Sequence, residues 1–132
     1  MVVIKKIFKG VTTMSRTTQA LLLKFIMTFA AAWVAFGFID NNTLTSIFIV
    51  SLLGTVLNYL LGDLVVLPRL GNIVASLGDG LMGALTAYIY SIIILQFTTS
   101  FFSLLLFAGI VAVLEYFFHK YLLSAKKVAP SK

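Results

Sequence analysis

Apolar runs separated by short polar breaks divide most of this chain into four segments that are each long enough to cross a bilayer. A transmembrane helix needs about 20 mostly apolar residues to cross roughly 30 Å of hydrocarbon. The first run ends at a turn cluster, Asp40-Asn41-Asn42. We predict transmembrane spans at residues 19–39, 43–61, 73–95 and 101–123.

The two later breaks are a connector at residues 62–72 and a polar stretch at residues 96–100. Gly62 is the kind of residue that ends a helix, and Pro68 disfavours helical backbone at the residue before it, so we predict a partly extended connector. One helix over residues 73–123 would be roughly 75 Å long at about 1.5 Å per residue. That length far exceeds a bilayer, so the chain must turn within the polar stretch.

Two basic segments flank the predicted transmembrane domain of residues 19–123. Residues 1–18 form an amino-terminal segment, for which the sequence leaves open whether a short helix lies on the membrane surface. A signal peptide cleaved within the first span would have too short an apolar region between Lys24 and the cleavage site, so we expect this segment to be retained. Residues 124–132 form a basic tail.

Lysine and arginine fall on one side of the predicted membrane domain. With four spans, the two ends of the chain and the connector share a side, which receives every basic residue except Lys24. The opposite turns receive none. Because basic loops stay on the cytoplasmic side of a membrane, we predict that the amino and carboxyl ends are both cytoplasmic.

The composition agrees with an integral membrane protein of one domain. Hydrophobic residues make up 61% of the chain and charged residues 11%, whereas soluble domains contain nearer half and a quarter. The absence of cysteine excludes disulfides, thiolate catalysis and cysteine-ligated metals. The formal charge of +6 lies mostly beside the spans, so the expected partner is a bilayer with anionic headgroups and not nucleic acid.

Each span also carries a stripe of small and polar residues spaced three or four positions apart, which places them on one helical face. In chain order the stripes are Lys24, Thr28, Ala31 and Ala35; Ser51, Gly54, Asn58 and Gly62; Ser76, Asp79, Gly83, Thr86 and Tyr90; and Ala108, Ala112, Glu115 and His119. Such faces pack against each other in lipid, so we predict an all-α fold, an antiparallel bundle of four transmembrane helices. One polar residue from each span falls in the cytoplasmic half of the bundle: Lys24, Asn58, Asp79 and Glu115. Buried charges usually pair, so we expect Lys24 to contact Asp79 or Glu115.

Three further polar residues belong to this candidate cluster. Asp63 and Arg69 lie at opposite ends of the connector, and we predict an ion pair between them. His119 follows Glu115 by four residues, and a contact along the helix explains that spacing without a metal. The candidate residues, whether functional or structural, are Lys24, Asn58, Asp63, Arg69, Asp79, Glu115 and His119.

Three functions are compatible with these features. A structural or accessory membrane subunit without catalysis or cofactors is the main interpretation. An oligomeric channel or transporter subunit for protons or small cations is the alternative, because one chain offers charged groups in only half of the membrane. An intramembrane aspartyl hydrolase using Asp63 and Asp79 is the second alternative, although the Gly-x-Gly-Asp form would need glycine at Leu60 or Ser76.

The connector at residues 62–72, together with Leu23-Lys24-Phe25-Ile26-Met27 and Asp79, resembles the YndM-like family of small membrane proteins from Bacillus-type bacteria. The likeness covers residues 20–123. It implies four spans and the plasma membrane of such a bacterium, or its spore membrane because these bacteria sporulate. The family has no known function, so the resemblance implies no catalytic residues. The sequence leaves open whether the protein partners are further copies of this chain, in a homo-oligomer, or other membrane proteins.

Overall fold

A computed structural model describes residues 16–125 of the chain, with side chains from residue 17 to residue 121, and all regular structure in that range is helical. Four helices follow one another. Helix α1 comprises the α-helical Arg16–Ala32 and the π-helical Trp33–Ile39. Helix α2 comprises Leu44–Leu57, the π-helical Asn58–Val66 and Leu67–Leu70, while α3 is Asn72–Ile93 and α4 is Phe101–Ala125.

Each of the four helices is long and apolar enough to cross a membrane. The candidate spans are Thr17–Ile39, Leu44–Leu70, Asn72–Ile93 and Phe101–Tyr121. Large apolar side chains such as Phe38, Leu81 and Ile93 are about 70% exposed on the outer surface, as lipid-facing residues are. The predicted all-α fold with four spans is confirmed. Residues 1–15 and 126–132 lie outside the described range, so the surface helix, the basic tail and the cytoplasmic placement of both ends remain predictions.

The connector after the second predicted span differs from expectation, because α2 stays helical to Leu70 and only Gly71, with φ of 90°, separates it from α3. Pro68 lacks a backbone N–H and crowds the preceding turn, which normally breaks a helix. Here the helix has widened into a π-helical segment just before the proline, and the N–H of Leu67 donates to the carbonyl of Gly62 five residues earlier. Such local adjustments satisfy backbone groups that have no access to water. The expectation of an extended connector was wrong.

The four helices run alternately up and down. Asn42, in the turn after α1, donates to the carbonyl of Thr98 at 2.8 Å and accepts from its N–H at 2.9 Å, so the first and third turns meet at one end. Ser100 and Ser103 donate to the carboxylate of Asp40 at that same end. The Gly71 turn therefore lies at the opposite end of the bundle.

The predicted stripes do face the interior. The small and polar residues predicted for α1 and α2 are all buried, and those of α3 and α4 are buried or half-buried. Helices α3 and α4 share the largest interface, and a Cβ at Gly80 would overlap the backbone oxygen of Ala108 on the facing helix. Glycine there allows the close approach on which packing in lipid depends.

An aromatic core fills the half of the bundle nearest the first and third turns. The ring of Phe36 lies 4.9 Å from that of Phe107 and 5.4 Å from that of Phe97, centroid to centroid. Buried alanines and branched aliphatic residues surround the three rings. We call these three phenylalanines the aromatic plug, because they separate the polar turns at this end from the polar groups at the other.

Candidate functional site

A buried ionic cluster lies in the half of the bundle near Gly71, and Lys24 of α1 is at its centre. Its Nζ donates to Oε1 of Glu115 at 2.6 Å and lies 3.2 Å from Oδ2 of Asp63 and 3.8 Å from Oδ2 of Asp79. Lys24 itself is 0% exposed, and none of the three acids is more than 1% exposed. One ammonium from α1 thus contacts carboxylates from each of the other three helices.

His119 is the second centre of this cluster. Its Nε2 lies 2.8 Å from Oδ1 of Asp63, 3.1 Å from Oδ2 of Asp79 and 3.4 Å from Oε1 of Glu115. The predicted contact with Glu115 along the helix is therefore present, and two further carboxylates join it. We define the ionic cluster as Lys24, Asp63, Asp79, Glu115 and His119.

The other nitrogen of His119 faces a polar network that leads toward the Gly71 turn. Nδ1 lies 2.8 Å from Oδ1 of Asn72 and 3.2 Å from Oγ of Ser76. The amide nitrogen of Asn72 donates to the carbonyl of Tyr116 at 2.9 Å, so its Oδ1 is the atom that faces the imidazole. Ser76 also donates to that oxygen, at 2.9 Å. The sequence patterns did not single out Asn72 as a site residue.

The π-helical segment of α2 explains how Asp63 enters the cluster. In an α-helix of about 3.6 residues per turn, Asp63 would point about 140° away from Asn58, five residues earlier. A π-helix bonds each residue to one five positions away, so the two side chains return to nearly the same face. Asn58, Gly62 and Asp63 are all buried in this segment. π-helical turns occur often at functional sites.

Gly62 provides the room that Asp79 occupies. A Cβ at Gly62 would overlap Oδ1 of that carboxylate, so no larger residue fits without displacing it. Asn58 donates its amide N–H to the backbone carbonyl of Asp79 at 3.3 Å. Helix α2 therefore positions Asp79 in two ways. Asn58 donates a hydrogen bond to its backbone carbonyl, and Gly62 leaves space for its carboxylate.

Several buried acceptor atoms in this region have no hydrogen-bond partner within the described part of the chain. They include both carboxylate oxygens of Asp79, Oδ1 of Asn58 and the hydroxyls of Thr28 and Thr55. The contacts of Asp79 with Lys24 and His119 are close in distance but lack hydrogen-bond geometry. A buried polar group without a partner costs about 1 to 3 kcal/mol, so each one needs a physical reason.

The cluster also carries an excess of negative charge. Three carboxylates face one ammonium, which leaves two negative charges uncompensated while the imidazole is neutral and one when it is protonated. Lys24 and Asp79 each lie seven residues inside their spans, about 10 Å from the helix ends. Charges at that depth in a membrane usually pair or mark a site for ions or protons.

The structure brings six of the seven predicted residues together and separates one. The expected contacts of Lys24 with Asp79 and Glu115 are both present, and Asn58 contacts Asp79. Arg69 is exposed, whereas Asp63 is buried and paired with Lys24 and His119. The predicted ion pair between Asp63 and Arg69 was therefore wrong, because the helical connector turns Asp63 inward, out of reach of the membrane surface.

Comparison with known proteins gives a family and no activity. Residues 15–130 match the family described as "Protein of unknown function (DUF2512)". The chain is similar to a protein of Bacillus subtilis (strain 168) named "Uncharacterized membrane protein YndM", with 37% identity over 108 residues. That match covers 79% of this chain and 59% of the relative, so the chain spans less than two thirds of the relative's length. No solved structure matches the chain.

Proposed function

The chain belongs to this family of uncharacterised membrane proteins, and we propose that it is a structural or accessory membrane subunit without catalytic activity. The observation that carries the proposal is that the ionic cluster joins all four helices. Lys24 of α1 and His119 of α4 together contact carboxylates on α2, α3 and α4, so all four helices meet in one buried contact set. Helices in lipid gain no hydrophobic free energy by associating, so polar contacts of this kind help to hold them together.

The distribution of polar groups supports a closed bundle. The ionic cluster and its network reach one end of the helices, while the aromatic plug fills the other half. Water and ions would have to pass three packed rings to cross a single copy of this chain. A membrane subunit that stabilises a larger assembly has no need of such a path.

The hydrolase alternative receives no support from the site. A pair of catalytic aspartates must share a proton and reach both water and substrate. Asp63 and Asp79 are each 1% exposed, and both carboxylates contact Lys24 and His119 instead of an open cavity. The two carboxylates act here as partners for cations, in agreement with a non-enzymatic protein.

A second candidate, a subunit of an oligomeric channel or transporter for protons or small cations, is favoured by one observation. The ionic cluster holds more carboxylates than cations, and such an excess attracts positive charge into the membrane. Because the aromatic plug closes a single bundle, transport in this proposal requires several copies and a pathway between them.

Reconstitution into liposomes separates the two candidates. For a structural subunit, vesicles with purified protein should move protons, Na⁺ and K⁺ no faster than empty vesicles. Flux that Asp79→Asn abolishes, with helicity and oligomeric state retained, would replace the structural proposal with the transport proposal. Asp40→Asn is the matched control, since Asp40 is the one acid of the chain outside the ionic cluster and lies at the opposite end of the bundle.

We further propose that the protein lies in a bacterial plasma membrane, or in a spore membrane, with both ends in the cytoplasm and the basic segments on anionic headgroups. The one-sided distribution of lysine and arginine supports this orientation. The chain has no cysteine, so single cysteines can be introduced without background. Cysteine at Thr99 should react with an impermeant thiol reagent in intact cells, and cysteine at Ser131 should not. Labelling at Ser131 in sealed cells would contradict the proposed orientation.

A further inference from the structure

We propose that the ionic cluster binds one divalent transition-metal ion, of the class of Mn²⁺ or Zn²⁺, through Asp63, Asp79, Glu115 and His119. This inference goes beyond the structural function proposed above. One ligand atom from each of the four side chains lies within 4.8 Å of all the others, and all four residues are buried. They come from three helices, so a bound ion would join α2, α3 and α4.

The separations between these atoms already approach those of a coordination shell. Metal–ligand bonds of about 2.1 Å place neighbouring ligands of a tetrahedral ion about 3.4 Å apart. The Nε2 atom of His119 lies 2.8 to 3.4 Å from one oxygen of each acid. Only small side-chain movements would therefore complete the shell. One imidazole with three carboxylates favours first-row ions such as Mn²⁺, Fe²⁺ and Zn²⁺, since Mg²⁺ and Ca²⁺ prefer oxygen ligands alone.

The orientation of His119 is an independent observation that points to a cation. Because Oδ1 of Asn72 can only accept, its 2.8 Å contact places the ring proton on Nδ1. In a neutral ring the lone pair of Nε2 then faces three carboxylate oxygens, an arrangement that is repulsive unless a metal ion or a proton lies on Nε2. Metal-binding histidines commonly donate their other N–H to such an oxygen, which orients the ring.

The unpartnered carboxylate of Asp79 is a second such observation. It is 1% exposed, directed into the cluster, and neither of its oxygens has a hydrogen-bond donor among the described residues. A metal ion would use the lone pairs that no donor uses. It would also balance the charge, because a divalent ion with Lys24 neutralises the three carboxylates while the imidazole stays neutral.

Lys24 competes for the same oxygens and must yield part of its position to the ion. Its Nζ lies 5.1 Å from the centroid of the Phe118 ring, so the ammonium has a second favourable neighbour on the flank of the cluster. The flexible lysine stem allows that movement without a change in the backbone. The ammonium would remain near enough to contribute its charge.

The single histidine of the chain makes the test specific. The 132-residue chain without a histidine tag is purified in mild detergent, freed of metal with a chelator and titrated with Mn²⁺ alone and with Zn²⁺ alone. We expect one tightly bound ion per chain. Pulsed electron paramagnetic resonance of the Mn²⁺ form should show nitrogen coupling that changes when histidine is labelled with ¹⁵N, and only His119 can produce that signal.

Two variants extend the test. His119→Gln should weaken binding by at least about 10-fold to 100-fold, the loss seen even for outer-shell partners. Asp40→Asn, outside the cluster, should bind as the unchanged protein does. The spectrum of the unchanged protein decides the question even if His119→Gln fails to fold. Absence of stoichiometric binding, or bound Mn²⁺ without histidine coupling, would overturn the proposal and leave His119 as a protonated partner of the carboxylates.

Discussion

Replacing Lys24 with methionine tests the ionic cluster most directly. Methionine keeps an unbranched apolar side chain and removes the ammonium, whose Nζ lies between 2.6 and 3.8 Å from three carboxylates. Removing one partner of a buried ion pair leaves uncompensated charge and costs about 3 to 5 kcal/mol. We expect Lys24→Met to lower the free energy of unfolding in detergent by an amount in this range.

The distances also predict which double variant recovers more of the lost stability. Coulomb energy falls with distance, so the 2.6 Å contact with Glu115 should be about one and a half times as strong as the 3.8 Å contact with Asp79. Adding Glu115→Gln to Lys24→Met should therefore recover more stability than adding Asp79→Asn. Neither double variant should recover all of it, because two carboxylates remain without the ammonium.

Unfolding by sodium dodecyl sulfate, followed by circular dichroism of the helices, measures these differences. Lys120→Met is the matched control, since Lys120 is exposed on α4 and its Nζ lies over the ring of Tyr116 at 5.4 Å. That change should cost less than about 1 kcal/mol. Strictly additive losses in both double variants would show that Lys24 is not coupled to Glu115 or Asp79, and the cluster would not hold the bundle together.

Two further predictions concern packing and the turns. Gly62→Ala should destabilise the bundle by about 1 to 3 kcal/mol in the same assay because its Cβ meets the Asp79 carboxylate, whereas Gly78→Ala, with nothing within 4 Å, should be neutral or slightly stabilising; equal effects would contradict the close approach. Asn42→Ala should cost about 1 to 2 kcal/mol because it removes the hydrogen bonds between the first and third turns, and Gln96→Ala, exposed in the third turn, should cost little; a neutral Asn42→Ala would show that these bonds do not stabilise the fold.

Much of the fold follows from local features of the sequence. A bilayer crossing requires about 20 apolar residues, and every unpaired backbone group in the hydrocarbon costs free energy. The length of the apolar runs alone therefore identifies four helices. The α-helical period then assigns the inward faces, and Lys24, Asn58, Asp79 and Glu115 all lie where that period places them. These features need no knowledge of which helix lies beside which.

Asp63 shows where such reasoning ends. The α-helical period directs it away from the stripe of α2, and the glycine and proline around it indicate the end of a helix. Only the packed bundle makes a π-helical segment favourable there, because burying Asp63 against Lys24 and His119 repays the irregular backbone. The exposed Arg69, its predicted partner, has no such neighbours among the described residues.

The four spans, their inward faces and most of the polar residues can thus be read from the sequence, since each depends on neighbours along one helix. Which of those residues meet depends on how the helices pack. Lys24 and Glu115 are 91 positions apart, and His119 and Asp63 are 56 apart, so no local pattern relates them. The orientation of His119 by Asn72, on which the proposed metal site depends, likewise arises from the contact of α3 with α4.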